Sequence, residues 1–163
     1  MIQSLNPGTG WVVAQAILLV LQIVEPVVAT TRGLGPGRWG TSWSGVELPL
    51  GTALMLAGGA LALRAVRALG HSLSPLPKPK DDSVLVVRGP YRVLRHPIYT
   101  ALLLACLGWA MIWKDPVLIV LFTLLAVVFL FKSRLEEKWL TRRYPDYALY
   151  KKKTGGLVPR LFR

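Results

Sequence analysis

The chain has 163 residues, of which 53% are apolar and 17% charged, with a mean hydropathy of +0.46 and a formal net charge of +12. Soluble domains carry about 25% charged residues, and here the apolar residues are also gathered into long runs. Together with a single cysteine, Cys106, this excludes a disordered chain and a secreted disulfide scaffold, and it argues against a soluble nucleic-acid binder in spite of the basic charge.

Residues 11–30 form the first apolar run, 20 residues with one charge, Glu25, followed by Pro26. At about 1.5 Å per residue such a run crosses the roughly 30 Å hydrocarbon core. No Lys or Arg precedes Arg32, so the basic start of a signal peptide is missing and the run is read as a mature span. Residues 46–63 form a second run, broken only by Glu47 and Pro49 near its start. Its small pairs four apart, Ala53/Ala57 and Gly58/Ala62, predict a face where two helix backbones approach closely. The stretch 72–79, SLSPLPKP, cannot be regular helix. Residues 98–113 and 116–131 are two further runs joined by Lys114-Asp115-Pro116, a tight turn, and predict a helical hairpin. The second of these can lengthen past Phe131, because 132–140 holds no helix breaker.

The expected fold is therefore an all-α integral membrane protein with about four transmembrane helices, the last two a hairpin. One membrane domain covers 1–163: two N-terminal spans (1–70), a connector (71–97), the hairpin (98–131) and a C-terminal helical segment (132–163). With four spans, the second loop, counted over residues 64–95 (7 Lys and Arg), and the tail (10) share a side, which holds 17 of the 20. The positive-inside bias puts that side, with both termini, in the cytoplasm. Trp39, Trp43, Trp109 and Trp113 then fall at the opposite interface, as an aromatic belt. The size and the lack of an organelle address favour a prokaryotic inner membrane, with lipids as neighbours.

Two polar blocks flank the hairpin on the basic side: Gly89-Pro90-Tyr91-Arg92-Val93-Leu94-Arg95-His96-Pro97-Ile98-Tyr99, and Arg134 to Leu140 with Glu136 and Glu137, followed by Tyr144, Tyr147 and Tyr150. Gly89-Pro90 signals a turn, and Pro97 suits the first helical turn, with His96 at its cap. Because hairpin ends are adjacent, His96 and Tyr99 should lie near Glu136 or Glu137. The bland alternative is a solvated helix face, with Glu136 paired to Lys132 and Glu137 to Arg134, or a basic anchor for anionic lipid. Acids at a membrane boundary opposite a histidine favour a site. Cys106, mid-helix, is read as a packing residue; His71 is interfacial, Glu25 sits near the far headgroups, and two histidines with one cysteine make a zinc site improbable.

The string GPYRVLRHPIY, the acidic pair about 40 residues later, YPDYALYKKK and the terminal VPRLF resemble the isoprenylcysteine carboxyl methyltransferase family, which groups with the phospholipid N-methyltransferases. The match covers roughly residues 85–162. Ala101 stands where the family often has glycine, and Tyr144-Pro145-Asp146-Tyr147 is one residue shorter than the usual tail motif. The resemblance implies an integral membrane methyltransferase that uses S-adenosylmethionine and releases S-adenosylhomocysteine. It implies that Tyr91, Arg95, His96, Pro97 and Tyr99 line the cofactor site from one side and Glu136 and Glu137 from the other, with Tyr147, Tyr150 and Arg160 closing it. Arg95 and Glu136 are the residues taken as catalytic: Glu136 for the ribose diol or ammonium, Arg92 or Arg95 for the cofactor carboxylate or an anionic acceptor. His96 is a cofactor hydrogen-bond donor or a helix cap before it is a base.

A lipophilic acceptor is expected to enter sideways from the bilayer, and the polar cofactor from the cytoplasm. The competing readings are a small NADPH-dependent reductase of sterol-reductase type and a non-enzymatic membrane protein that kept the fold and lost the site.

Overall fold

The computed structural model describes residues 8–34, 45–74, 76–77 and 82–160. They form five α-helices: α1 (Thr9–Thr31), α2 (Glu47–Leu69), α3 (Pro97–Trp113), α4 (Pro116–Arg143) and the short α5 (Tyr147–Lys153). Three of these, α1, α2 continued by a 3-10 turn to Ser72, and α4, are long and apolar enough to cross a membrane; α3 has 17 residues, about 26 Å of helix. Their surfaces are apolar where water would demand polarity: Ile23, Leu56 and Val127 all point outward. Lipid is the solvent that suits such faces, since a helix satisfies its own backbone.

Named contacts fix the packing. Gln22 of α1 donates from Nε2 to the Leu118 carbonyl of α4 at 3.3 Å, while near the other end Trp11 stacks on Phe131 at 5.7 Å, so α1 and α4 are antiparallel. α2 and α3 are antiparallel as well, with Gly51 against Gly108 and Gly58 against Ala101 and Ala105. The largest helix interface in the bundle is this one rather than the hairpin. Glycine is required at Gly58, where an added Cβ would stand 2.7 Å from the Ala101 carbonyl oxygen. The close approach that a glycine at 101 would allow is supplied from α2 by Gly58.

Two expectations for α2 need correction. The buried stripe is Gly51, Gly58 and Ala65, seven residues apart, and Ala53 and Ala57 face outward. The helix also runs past residue 63 to Leu69, taking Arg64 and Arg67 with it. Long basic side chains keep their charge in water from the last turns of a helix, so charge does not end α2. The break comes at Gly70, with φ +55.

The hairpin turn is as expected. Lys114 is left-handed (φ 49), and the Asp115 side chain accepts from Val117 N at 2.8 Å, capping α4 with Pro116 in its first turn. Lys114 also pairs with Glu47 of α2 at 2.9 Å. At the same end Trp109 donates to the Gln22 carbonyl at 2.9 Å and packs edge-on against Trp113; Trp39 and Trp43 lie outside the described residues. Cys106 is buried with Leu125 and Phe129 in the core, and His71 lies in the 3-10 turn after α2.

Candidate functional site

At the other end of the bundle, the start of α1, the end of α2 with its connector, the loop before α3, the late turns of α4 and α5 enclose a cavity of about 340 Å³. Its lining is apolar at Leu69, Leu73, Val84, Val86 and Ile98, and polar at Tyr99, Lys132 and Glu136.

The polar lining is built by the hairpin. Gly89 adopts φ +57, which opens a 3-10 turn (Gly89–Arg92) that buries Tyr91. His96 occupies the N-cap of α3, with Pro97 in the first turn, but its ring makes no capping bond. The buried imidazole faces α4 instead, with Nδ1 3.3 Å from Glu136 Oε2 and Nε2 3.3 Å from Glu137 Oε1. Tyr99, one turn into α3, donates its hydroxyl to Glu136 Oε1. The rings stack in series, His96 on Tyr99 at 5.5 Å and Tyr99 on Phe129 at 4.5 Å, which fixes both donors.

Glu137 gathers the chain's ends. Arg95 Nε donates to its Oε1 at 2.7 Å and Lys151 Nζ sits 2.6 Å from its Oε2. Arg95 Nη1 also donates to the carbonyls of Lys151 (3.2 Å) and Thr154. Beyond α5 the tail runs beside the motif loop: Arg95 N donates to Gly155 O at 2.8 Å, Gly155 N to Val93 O at 3.0 Å, and Thr100 Oγ1 to Leu157 O at 2.6 Å. Tyr150 donates to the Tyr91 carbonyl at 2.6 Å. The acidic pair therefore bridges the loop and the tail; neither acid takes the Lys132 or Arg134 pairing that a solvated helix face would show.

Burial alone would lower the His96 pKa, but hydrogen bonds and charge from Glu136 and Glu137 outweigh it and raise it above the usual 6.5. Burial pushes the Tyr150 phenol up to about 12 against the pull of Arg95. Tyr91 and Tyr147 are likewise raised by burial first, then by neighbouring negative charge. The Tyr147 hydroxyl is buried without a hydrogen-bond partner among the described residues. An orphaned buried donor on the rim of a cavity is costly unless a ligand completes it.

Of the residues singled out from sequence, Tyr91, Arg95, His96, Tyr99, Glu136, Tyr147 and Tyr150 line the cavity. Glu137 and Pro97 stand behind that lining as supports. Arg92 is exposed and outside it. Arg160 does not close the cavity either; it donates to the Lys152 carbonyl on the exposed side of α5. Tyr144, named with the C-terminal polar block, lines the cavity as well, whereas sequence reasoning missed Lys132, Gln15 and the connector residues Leu73, Leu76, Val84, Leu85 and Val86 that add apolar lining.

Residues 46–147 match the model of the phospholipid methyltransferase family. The chain belongs to that family. It is 32% identical over 143 residues to the cobalt-zinc-cadmium resistance protein CzcN of Cupriavidus metallidurans, covering 87% of this chain and 63% of that one. It is 29% identical over 159 residues to the protein-S-isoprenylcysteine O-methyltransferase of Saccharomyces cerevisiae, covering 95% of this chain and 65% of that one. The chain thus spans just under two thirds of the length of these relatives. The solved structure of the eukaryotic intramembrane Ras methyltransferase ICMT superposes with a TM-score of 0.60 at 22% identity, over 95% of this chain and 54% of that one. That likeness is one of fold, the fold of an integral membrane protein.

Proposed function

We propose that this phospholipid methyltransferase family member transfers a methyl group from S-adenosylmethionine to a lipophilic acceptor at the edge of the membrane. The reading rests on one arrangement: Glu136, held by Tyr99 and His96, lines a cavity at the end of the helix bundle together with apolar side chains. The donor set fits the cofactor. Glu136 would take its ribose diol or ammonium, the unpartnered Tyr147 hydroxyl offers a further hydrogen bond, and the Tyr91 and Tyr150 rings can meet the adenine or the sulfonium. Arg95, anchored by Glu137, is the cation for a carboxylate. When bound, S-adenosylmethionine supplies an electrophilic methyl group on sulfur.

What the chain itself must do is modest. Methyl transfer is an in-line displacement in which positioning can contribute about 7–11 kcal/mol, and a cavity roofed by apolar side chains strips water from the nucleophile. A carboxylate acceptor, such as the isoprenylcysteine carboxylate of the yeast relative, is already ionised; a lipid amine must first lose a proton. The acceptor enters from the bilayer between helices, the cofactor from the basic, cytoplasmic side of a prokaryotic inner membrane, where both termini lie.

The test is calorimetry of S-adenosylhomocysteine and of NADPH on detergent-purified protein, wild type and Glu136→Ala. The expected result is S-adenosylhomocysteine binding that the variant loses. NADPH binding in its place would transfer the site to a reductase, and binding of neither by folded protein would leave the likeness one of architecture.

A further inference from the structure

Lys132 lies on α4 one turn before Glu136, and its side chain is 2% exposed and on the cavity wall. It stands 16 residues along α4 from Pro116, about 24 Å from the far end, so it is inside the hydrocarbon boundary where Glu136 is at it. A buried ammonium is expensive unless a negative group compensates it. Its hydrogen-bond and ring contacts among the described residues are neutral, Nζ donating to Gln15 Oε1 of α1 at 2.7 Å and lying 5.2 Å over the Tyr99 ring, while Glu136 acts on it through charge alone. Glu136 is the nearest acid along the helix, but its two oxygens are engaged by Tyr99 and His96, and no ion pair joins it to Lys132. An ammonium has three donors, and Gln15 uses one.

We infer, building on the methyltransferase reading, that Lys132 recognises an anionic oxygen on the lipophilic acceptor, with Gln15 as the positioning residue that aims it. The cavity then has two ends. Arg95, Glu136 and the tail tyrosines take the polar cofactor at the membrane edge. Lys132, one turn deeper, takes the charged head of a molecule whose apolar part remains in lipid. Gln15 belongs to α1, outside the residues matched to the family model, so acceptor choice is set by a helix that the shared core does not include. The Trp11–Phe131 stack, one residue before Lys132 on α4, keeps α1 in register for it.

The anionic oxygen can come from a carboxylate or from a phosphate, and four sixteen-carbon probes separate these: palmitate, hexadecyl phosphate, methyl palmitate and hexadecylamine. Their binding is measured by equilibrium dialysis on detergent-solubilised full-length protein, with and without S-adenosylhomocysteine. At least one anionic probe should bind about tenfold or more tightly than methyl palmitate or hexadecylamine, and the better of the two names the source. Lys132→Met should erase that preference; Lys132→Arg should keep it, and Gln15→Leu should weaken it severalfold. Equal binding of all four probes, or a preference that survives Lys132→Met, overturns the inference, as does tightest binding of the amine. Should Lys132→Met not fold, the probe ranking on wild type together with the Lys132→Arg and Gln15→Leu variants decides. Failure of S-adenosylhomocysteine to bind wild type would strike the methyltransferase reading instead, and the probe ranking without it still reports on Lys132.

Discussion

Arg95 and Glu137 meet at 2.7 Å, Nε to Oε1, across 42 residues of sequence, and both side chains are close to nine-tenths buried. The bond ties the loop before α3 to α4, and through the Lys151 and Thr154 carbonyls on Arg95 it ties both to the tail. Removing Arg95 should loosen all three. Lys151 and His96 remain on Glu137, so Arg95→Met falls near the low end of what breaking a buried pair costs, about 3 kcal/mol. Thermal unfolding in detergent should show the loss, and limited proteolysis should cut at Lys151–Lys153 faster than in wild type. Unchanged cleavage would mean that the tail is held by its backbone pairing alone.

Tyr99→Phe separates the hydroxyl from the ring. The stacks on His96 and Phe129 persist, so the stability change should stay within about 1.5 kcal/mol, the net value of one hydrogen bond. Glu136, no longer oriented, should bind S-adenosylhomocysteine about tenfold more weakly. A variant that binds as tightly as wild type would show that Glu136 needs no orienting partner on α3.

Much of this site could be read in the chain because a hairpin forces the start of one helix against the end of the next. Tyr99 and Glu136 needed only that rule. Lys132 and Gln15 did not follow from it: 117 residues separate them, and their meeting depends on the rotation of α1 against α4, which apolar runs do not encode. The same blindness to rotation misplaced part of the packing stripe of α2: the expected Gly58 does turn inward, but with Gly51 and Ala65 in place of Ala53 and Ala57. Arg160 was placed at the site by the tail motif, yet Gly155 bends the tail so tightly that an added Cβ would meet the Val158 carbonyl oxygen at 2.0 Å. That turn carries Leu157 into the core and leaves Arg160 on the far side of α5.

His96 should make stability depend on pH. Burial pulls its folded pKa down, but hydrogen bonds and charge from Glu136 and Glu137 outweigh this and raise it. A raised pKa means that the folded state holds the proton more tightly, so the contribution is complete below the unfolded value of 6.5 and is lost as pH rises through the folded value. Between pH 6 and 9 the unfolding free energy should fall, by at most about 1.4 kcal/mol per pH unit. The phenols of Tyr91, Tyr147 and Tyr150, all raised, do not ionise in that range. His96→Gln should flatten the profile; a slope that persists in the variant would assign it elsewhere.

Gly58 and Gly59 are adjacent and should respond oppositely to alanine. At Gly58 the new methyl would press on the Ala101 carbonyl and, at 3.1 Å, on Ala105 N; at Gly59 nothing lies within 4 Å. Gly58→Ala should destabilise by about 1–3 kcal/mol as overpacking does. Gly59→Ala should be neutral or slightly stabilising, because it removes only backbone freedom. Thermal unfolding of both variants checks the pair, and equal effects would mean that α2 and α3 can slide apart without cost.

Tyr144 and Ser83 hold the connector over the cavity. The Tyr144 hydroxyl donates to the Ser83 carbonyl at 2.8 Å and lies 3.0 Å from Ser83 Oγ. Both residues line the cavity, and residues 84–86 behind Ser83 form part of its apolar lining. Tyr144→Phe keeps the ring and removes both bonds, at a cost of about 1–2 kcal/mol if the connector stays in place. Val84 N also donates to Ser72 Oγ at 3.3 Å, an exposed bond that does not replace those of Tyr144, so local opening is the cheaper response. Amide hydrogen exchange over residues 82–87 should therefore quicken by about tenfold, while exchange in α3 and α4 stays as in wild type. Release of S-adenosylhomocysteine should accelerate in step with that opening. Faster exchange with unchanged release would put the cofactor's path on another side of the cavity.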